Sequence, residues 1–203
     1  MNIILLRHSE TAGNLLSQYI GRTDLPLCDQ GISRAESVGA RNDVASVYTS
    51  RLRRTAETAR ILYPQAQLVP CVGLNEMDFG AFEGKSWRDL DGDRDYRAWV
   101  DDGCEGTCPG GENKAEFIAR CVAAFLPLIE NEHAQGAAAV HFVLHGGTIM
   151  ALMSILVRPM GEYFSWRPGF CGGYLLEYAP KEDKDRPLRL VRQIDSGEGR
   201  EEH

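Results

Sequence analysis

The sequence predicts an α/β fold, a three-layer α/β/α sandwich around a mostly parallel central sheet. Two observations carry that expectation. Residues 3–6 and 138–144 are short apolar runs rich in branched side chains, with the length and continuity of strands buried on both faces. Between such runs lie segments with helical periodicity, and strands that alternate with helices build right-handed βαβ units that cover both faces of a sheet. A chain of 203 residues has the size of one domain, expected over 1–195 with a polar tail at 196–203.

Residues 3–6 form the first strand, which passes without a turn residue into Arg7 and His8. Residues 10–16 open a short helix, and 19–29 is a loop punctuated by Gly21, Pro26 and Asp29. A helical run beginning at Gly31 ends before Asn42, and 44–49 (VASVYT) alternates as a strand does. Ser50 stands where an N-cap would open the helix RLRRTAETARILY, which stops at Tyr63 before Pro64. Residues 67–70 are a short strand. The stretch 73–113, rich in Gly, Asp, Trp and Pro, reads as an irregular excursion with at most short helices around Trp87 and Trp99. Residues 114–132 are the clearest amphipathic helix, with Phe117, Cys121, Ala124 or Phe125, and Leu128 as its core stripe. Residues 138–144 run into His145, Gly146 and Gly147; 148–157 is a helix, and 173–179 and 188–194 are closing strands. The tail from Ser196, with Glu198, Glu201, Glu202 and His203, is solvated.

A net charge of −7 with no dense Lys/Arg block argues against a nucleic-acid surface, which needs a basic stripe to release counterions. No apolar run reaches about 18 residues and no leader pattern is visible, so a cytoplasmic protein without a membrane partner is expected. Six scattered cysteines are then expected to be reduced and structural; Cys104 and Cys108 lack the second pair that a zinc site needs, and no metal or cofactor is expected. His133 and His141 read as structural, and at least two of Trp87, Trp99 and Trp166 read as core.

The chemistry lies in a repetition. Two separate buried strands each deliver a histidine, His8 and His145, to the carboxyl end, where open α/β sheets collect ligands. If those strands are neighbours, both imidazoles share one crevice. Gly146 and Gly147 let backbone approach an anion at the start of the following helix. Arg7 offers a donor fork for phosphate oxygens, one or two of Arg51, Arg53 and Arg54 add a second, and Asn14 is a neutral donor within reach. Histidine can act as a covalent nucleophile when its ring is neutral and oriented, and phosphoryl transfer asks mainly for positioning and charge stabilisation. The proton donor for a leaving group must come from Glu76, Asp78 or Glu83, among which composition does not choose.

These pieces, in this order, resemble the histidine phosphatase superfamily and its phosphoglycerate-mutase-like fold. Arg7, His8 and Ser9 with Glu10, Thr11 and Asn14 resemble the opening RHGETxxN motif, with Ser9 in place of the usual glycine. Ser50, Leu52, Arg54, Thr58 and Ala59 resemble the SxLxRxxxTA block, LNEMDFGAFEG resembles the LxExxxGxxEG block, and LHGGTI carries the final HGG. The resemblance implies that His8 attacks phosphorus, that Arg7, Arg54 and His145 bind phosphoryl oxygens with Asn14 assisting, and that Glu76 is the acid. It also implies substrate contact at Gly21, Thr23 and Gly146. The implied activity is metal-independent hydrolysis of a small phosphorylated metabolite, because the chain lacks the longer insertion of the family's mutases. YIGRTDLPLCDQG and Gly92, Asp93, Asp95, Tyr96, Ala98 and Trp99 resemble members acting on α-ribazole 5′-phosphate in cobalamin biosynthesis. A cofactor-dependent phosphoglycerate mutase and a non-catalytic phosphate-binding module are the alternatives.

Overall fold

A computed structural model of the chain describes residues 1–195; the polar tail expected at 196–203 lies outside the described residues. A seven-stranded sheet runs in the order β3-β2-β4-β1-β6-β7-β5, with β1 at Asn2–Arg7, β2 at Ser46–Thr49, β3 at Gln67–Pro70, β4 at Ala139–Leu144, β5 at Val157–Arg158, β6 at Gly173–Tyr178 and β7 at Leu188–Ile194. β6 is antiparallel to both of its neighbours, β1 and β7, and every other pairing is parallel.

Strand alternation divides the core between the two faces. Ile3 and Leu5 of β1, with Phe142 and Leu144 of β4, pack on one face with α5 (Lys114–Ala134) and α6 (Gly146–Leu156). Ile4 and Leu6, with Val47 and Val143, pack on the other against Ala59 and Leu62 of α3 (Arg53–Leu62), which in turn contacts α2 (Asp29–Val38). That is the expected α/β/α sandwich. α5 opens on an Asn113/Glu116 capping box and buries Phe117, Cys121, Phe125 and Ile129 at intervals of four, with Phe125 against Phe142 at 4.9 Å between centroids. Truncating Phe125 to Ala in such packing costs about 3–5 kcal/mol.

Three local expectations need correction, and a fourth, the excursion at 73–113, is refined. Ser50 does not cap α3: the N-cap is Leu52, because the Ser50 side chain is drawn across to His145. α6 begins at Gly146, directly behind His145, and Val157 leaves it for the short strand β5, pairing with Leu188. The excursion at 73–113 holds one α-helix, α4 (Arg94–Asp101), which carries Trp99; the chain around Trp87 is turn. The buried stripe of α5 ends on Ile129 rather than Leu128. A short α1 (Ala12–Leu15) follows β1 as expected.

Candidate active site

The β1–β4 pairing is what assembles the site. Arg7 lies opposite Leu144, and the His8 backbone N–H donates to Leu144 O at 2.8 Å, so the residues that follow each strand emerge side by side. The His8 and His145 rings meet edge to face at 5.2 Å. His8 Nδ1 lies 2.5 Å from Ser9 O, a carbonyl that can only accept; Nδ1 therefore carries the proton and the Nε2 lone pair is free. Burial, with Arg54 and Arg7 nearby, pushes His8 well below the usual imidazole range and keeps the ring neutral. Ser9 is fully buried without strain: its N–H donates to Thr58 Oγ1 at 2.9 Å and its hydroxyl lies between Gly31 O and Glu10 Oε2.

Of the three arginines at the start of α3, Arg54 is the one turned inward, at 1% exposure, while Arg51 and Arg53 are exposed. Its guanidinium donates to His145 Nδ1, Thr23 O, Gly21 O and Ile20 O, which leaves a single N–H of Nη1 uncommitted. His145 is equally enclosed, with Nε2 donating to Ser50 Oγ at 2.8 Å, and burial followed by the Arg54 charge holds it well below the usual range. In this geometry neither nitrogen of His145 is a free donor.

Among the candidate acids, Glu76 alone lines the central cavity. Its Oε2 accepts the Gly147 N–H at 2.9 Å and its Oε1 the Met77 N–H at 3.0 Å. Burial pushes the carboxyl up, against those two hydrogen bonds and the pull of Arg54 and Arg7. A Cβ at Gly147 would overlap Glu76 Oε1, which is why glycine stands there. Asp78 pairs with Arg22 and accepts from Gly80 N–H, and Glu83 gathers the N–H groups of Gly21, Arg22, Thr23 and Phe79 and the Thr23 hydroxyl. Both are structural carboxylates. Gly21 and Thr23 accordingly do not line the cavity: they hold Glu83 and Arg54, and a Cβ at Gly21 would overlap Met77 O.

The cavity has a volume of about 540 Å³. Arg7, His8, Glu76, Gly146 and Gly147 form its floor chemistry, and Tyr19, Phe79, Trp87, Trp99, Tyr163 and Phe164 are part of an aromatic wall. Trp99 and Trp166 are core residues, and Trp166 does not reach the cavity; nor do His133 and His141. Asn14 lines the cavity, with its Oδ1 accepting from Thr11 N–H and Oγ1 at 3.0 Å each, which leaves its amide donor available. Arg7 is held from one side by Pro168 O at 2.9 Å and by the Phe170 ring 3.8 Å below its guanidinium, yet its Nε is buried with no partner. Burial and the neighbouring Arg167 push Arg7 down to about 10. Sequence reasoning missed Phe170, Arg167 and Lys114 as cavity residues. Lys114, the first residue of α5, is 7% exposed, with its ammonium on Gly103 O and Glu105 and over the Tyr163 ring.

The sequence model of the histidine phosphatase superfamily (branch 1) matches residues 3–186. The adenosylcobalamin/alpha-ribazole phosphatase of Escherichia coli (strain K12) is 31% identical over 171 residues, covering 80% of this chain and 82% of that protein. A 2,3-bisphosphoglycerate-dependent phosphoglycerate mutase 2 from Gloeobacter violaceus is 28% identical over 162 residues, covering 74% of this chain and 73% of that one. In fold, the alpha-ribazole phosphatase from Shigella flexneri superposes with a TM-score of 0.77 at 24% identity, covering 97% of both chains. A phosphoglycerate mutase from Thermus thermophilus superposes with a TM-score of 0.67 at 26% identity, covering 96% of this chain and 98% of that one. With residues of its opening, acid and HGG motifs lining one cavity and the family match running through nearly the whole described chain, this protein belongs to the histidine phosphatase superfamily.

Proposed function

We propose that this protein is a phosphomonoesterase that works through a phosphohistidine on His8. The observation that carries the reading is the pairing of a neutral His8, proton fixed on Nδ1 by Ser9 O, with a carboxyl, Glu76, whose burial favours the protonated form in the same cavity. His8 Nε2 attacks phosphorus in line; the P–O bond to the leaving group breaks as Glu76 gives that oxygen its proton. Water then attacks the phosphohistidine, Glu76 takes a proton from it, and the P–N bond breaks to release inorganic phosphate and restore His8. Arg7 with its unpaired Nε, the remaining Arg54 N–H, the Asn14 amide and the Gly146 and Gly147 backbone stabilise charge on the non-bridging oxygens. For His145 to donate to phosphate, its ring must take up a proton or the Arg54 contact must give way, so its role here is to hold Arg54.

The aromatic wall suits a leaving group with a flat apolar ring, and the similarity to alpha-ribazole phosphatases supports α-ribazole 5′-phosphate as the substrate. A phosphoglycerate mutase is the second reading, supported by relatives of that name. Phosphate release would be measured on α-ribazole 5′-phosphate, p-nitrophenyl phosphate and 3-phosphoglycerate, with EDTA present, for the wild type and His8→Ala. The reading expects release that His8→Ala abolishes, fastest on α-ribazole 5′-phosphate. Isomerisation of 3-phosphoglycerate dependent on added 2,3-bisphosphoglycerate, without net release, would overturn it.

A further inference from the structure

Arg167 follows the 3₁₀ turn Tyr163–Trp166 and lines the cavity with its side chain exposed. Its guanidinium has no hydrogen-bond or ion-pair partner among the described residues. The same short segment also holds Arg7, through Pro168 O and the Phe170 ring. One stretch of chain therefore brings two guanidinium groups to one wall, and one of them has a buried donor, Nε, that nothing satisfies. The groups acting electrostatically on Arg7 include Glu76, Glu10 and Arg54, but Arg167 is the strongest charge among them, and it is repulsive. An ordinary solvated arginine has no reason to be kept beside a second buried cation. A dianion between the two removes the repulsion and gives the orphaned Nε–H an acceptor.

We propose that Arg167 is a substrate-binding residue that clamps the transferring phosphoryl group together with Arg7, each guanidinium taking a non-bridging oxygen. This rests on the phosphatase reading for its substrate, but not for the anion site itself. A monoester dianion, vanadate and inorganic phosphate present the same oxygens, so all three are bound through Arg167. The leaving group is held elsewhere, by the aromatic wall.

The test is calorimetric titration of inorganic phosphate into His8→Ala, which cannot turn over, with and without Arg167→Gln and Arg167→Lys. It is joined to steady-state kinetics of Arg167→Gln in the otherwise native protein. Losing one exposed charge-assisted contact is expected to weaken phosphate binding about tenfold, with Lys recovering part of it. The same loss in kcat/KM is expected for p-nitrophenyl phosphate and for 3-phosphoglycerate, which carries a second anionic group. Thermal melting of Arg167→Gln should not fall, since the side chain is exposed, has no partner and repels Arg7. Phosphate affinity unchanged by Arg167→Gln overturns the clamp. So does a loss confined to 3-phosphoglycerate, which would put Arg167 on the leaving group. If no ester is hydrolysed while phosphate still binds in an Arg167-dependent way, the phosphatase reading fails and the clamp stands.

Discussion

Arg54 donates its Nε–H to His145 Nδ1 at 3.2 Å, and that contact fixes the state of the second histidine. A guanidinium does not give up its proton, so Nδ1 must be the lone pair and Nε2 the donor to Ser50 Oγ. The chain Arg54–His145–Ser50 thus reaches from α3, through the end of β4, to the end of β2, tying three elements behind His8.

Ser50→Ala breaks that chain at its end. The variant leaves the buried His145 Nε2–H and the Leu52 N–H without their acceptor. We expect a loss of about 1–3 kcal/mol in urea denaturation, with kcat falling more than KM rises because the Arg54 charge shifts relative to His8.

Glu83→Ala tests the loop that carries Arg54's acceptors. Glu83 receives four backbone N–H groups and the Thr23 hydroxyl, and Gly21 O and Thr23 O in turn receive Arg54. We expect a loss of about 2 kcal/mol or more in stability and a kcat/KM reduced at least tenfold, with Glu83→Gln intermediate. Wild-type kinetics with Glu83→Ala would show the loop to be independent of the chemistry.

Glu76 links activity and stability in opposite senses. Its raised pKa keeps the proton toward neutrality, so kcat/KM for alkyl phosphates should fall as pH rises through that pKa. Glu76→Gln should remove this limb and cost about 10²–10⁴ in kcat on alkyl esters, with a smaller loss for phosphorylation by p-nitrophenyl phosphate, whose phenolate leaves without help. A raised folded pKa means that the unfolded state holds fewer protons, so wild-type stability is lost as pH rises past the ordinary carboxylate range. Glu76→Gln, which cannot titrate, should remove this pH dependence of the melting temperature.

The two histidines act on stability with the other sign. Both are held well below the usual imidazole range by burial, so the unfolded chain binds protons first as pH falls. Their contribution is complete above about pH 6.5, the unfolded value, and is lost below it. Melting temperature should drop from there downward, and less steeply in His8→Asn.

Much of this was legible in the sequence where a signal is local. The branched runs of β1 and β4, the capped amphipathic α5 and the glycines after His145 are written in periods and residue types that physics reads directly. The choice of Arg54 and Glu76 over their neighbours was not, except through the family resemblance. It depends on which side chain of α3 turns under the 20–23 loop, on Glu83 being used up by the backbone N–H groups of that same distant loop, and on Asp78 pairing with Arg22. Ser50 shows the same limit: a serine before a helix reads as a cap, and only the β2–β4 pairing brings His145 to compete for it. Phe170 and Arg167 follow an irregular turn and belong to no periodic pattern, so nothing local marks them as neighbours of Arg7.

A phosphohistidine on His8 is best tested by trapping the covalent species. The protein would be mixed with p-nitrophenyl phosphate, quenched in alkali during turnover, digested and analysed by mass spectrometry. One acid-labile phosphoryl group is expected on the peptide carrying His8, absent in His8→Ala and longer-lived in Glu76→Gln. Phosphate release with no adduct, or an adduct on another residue, would rule out His8 as the nucleophile.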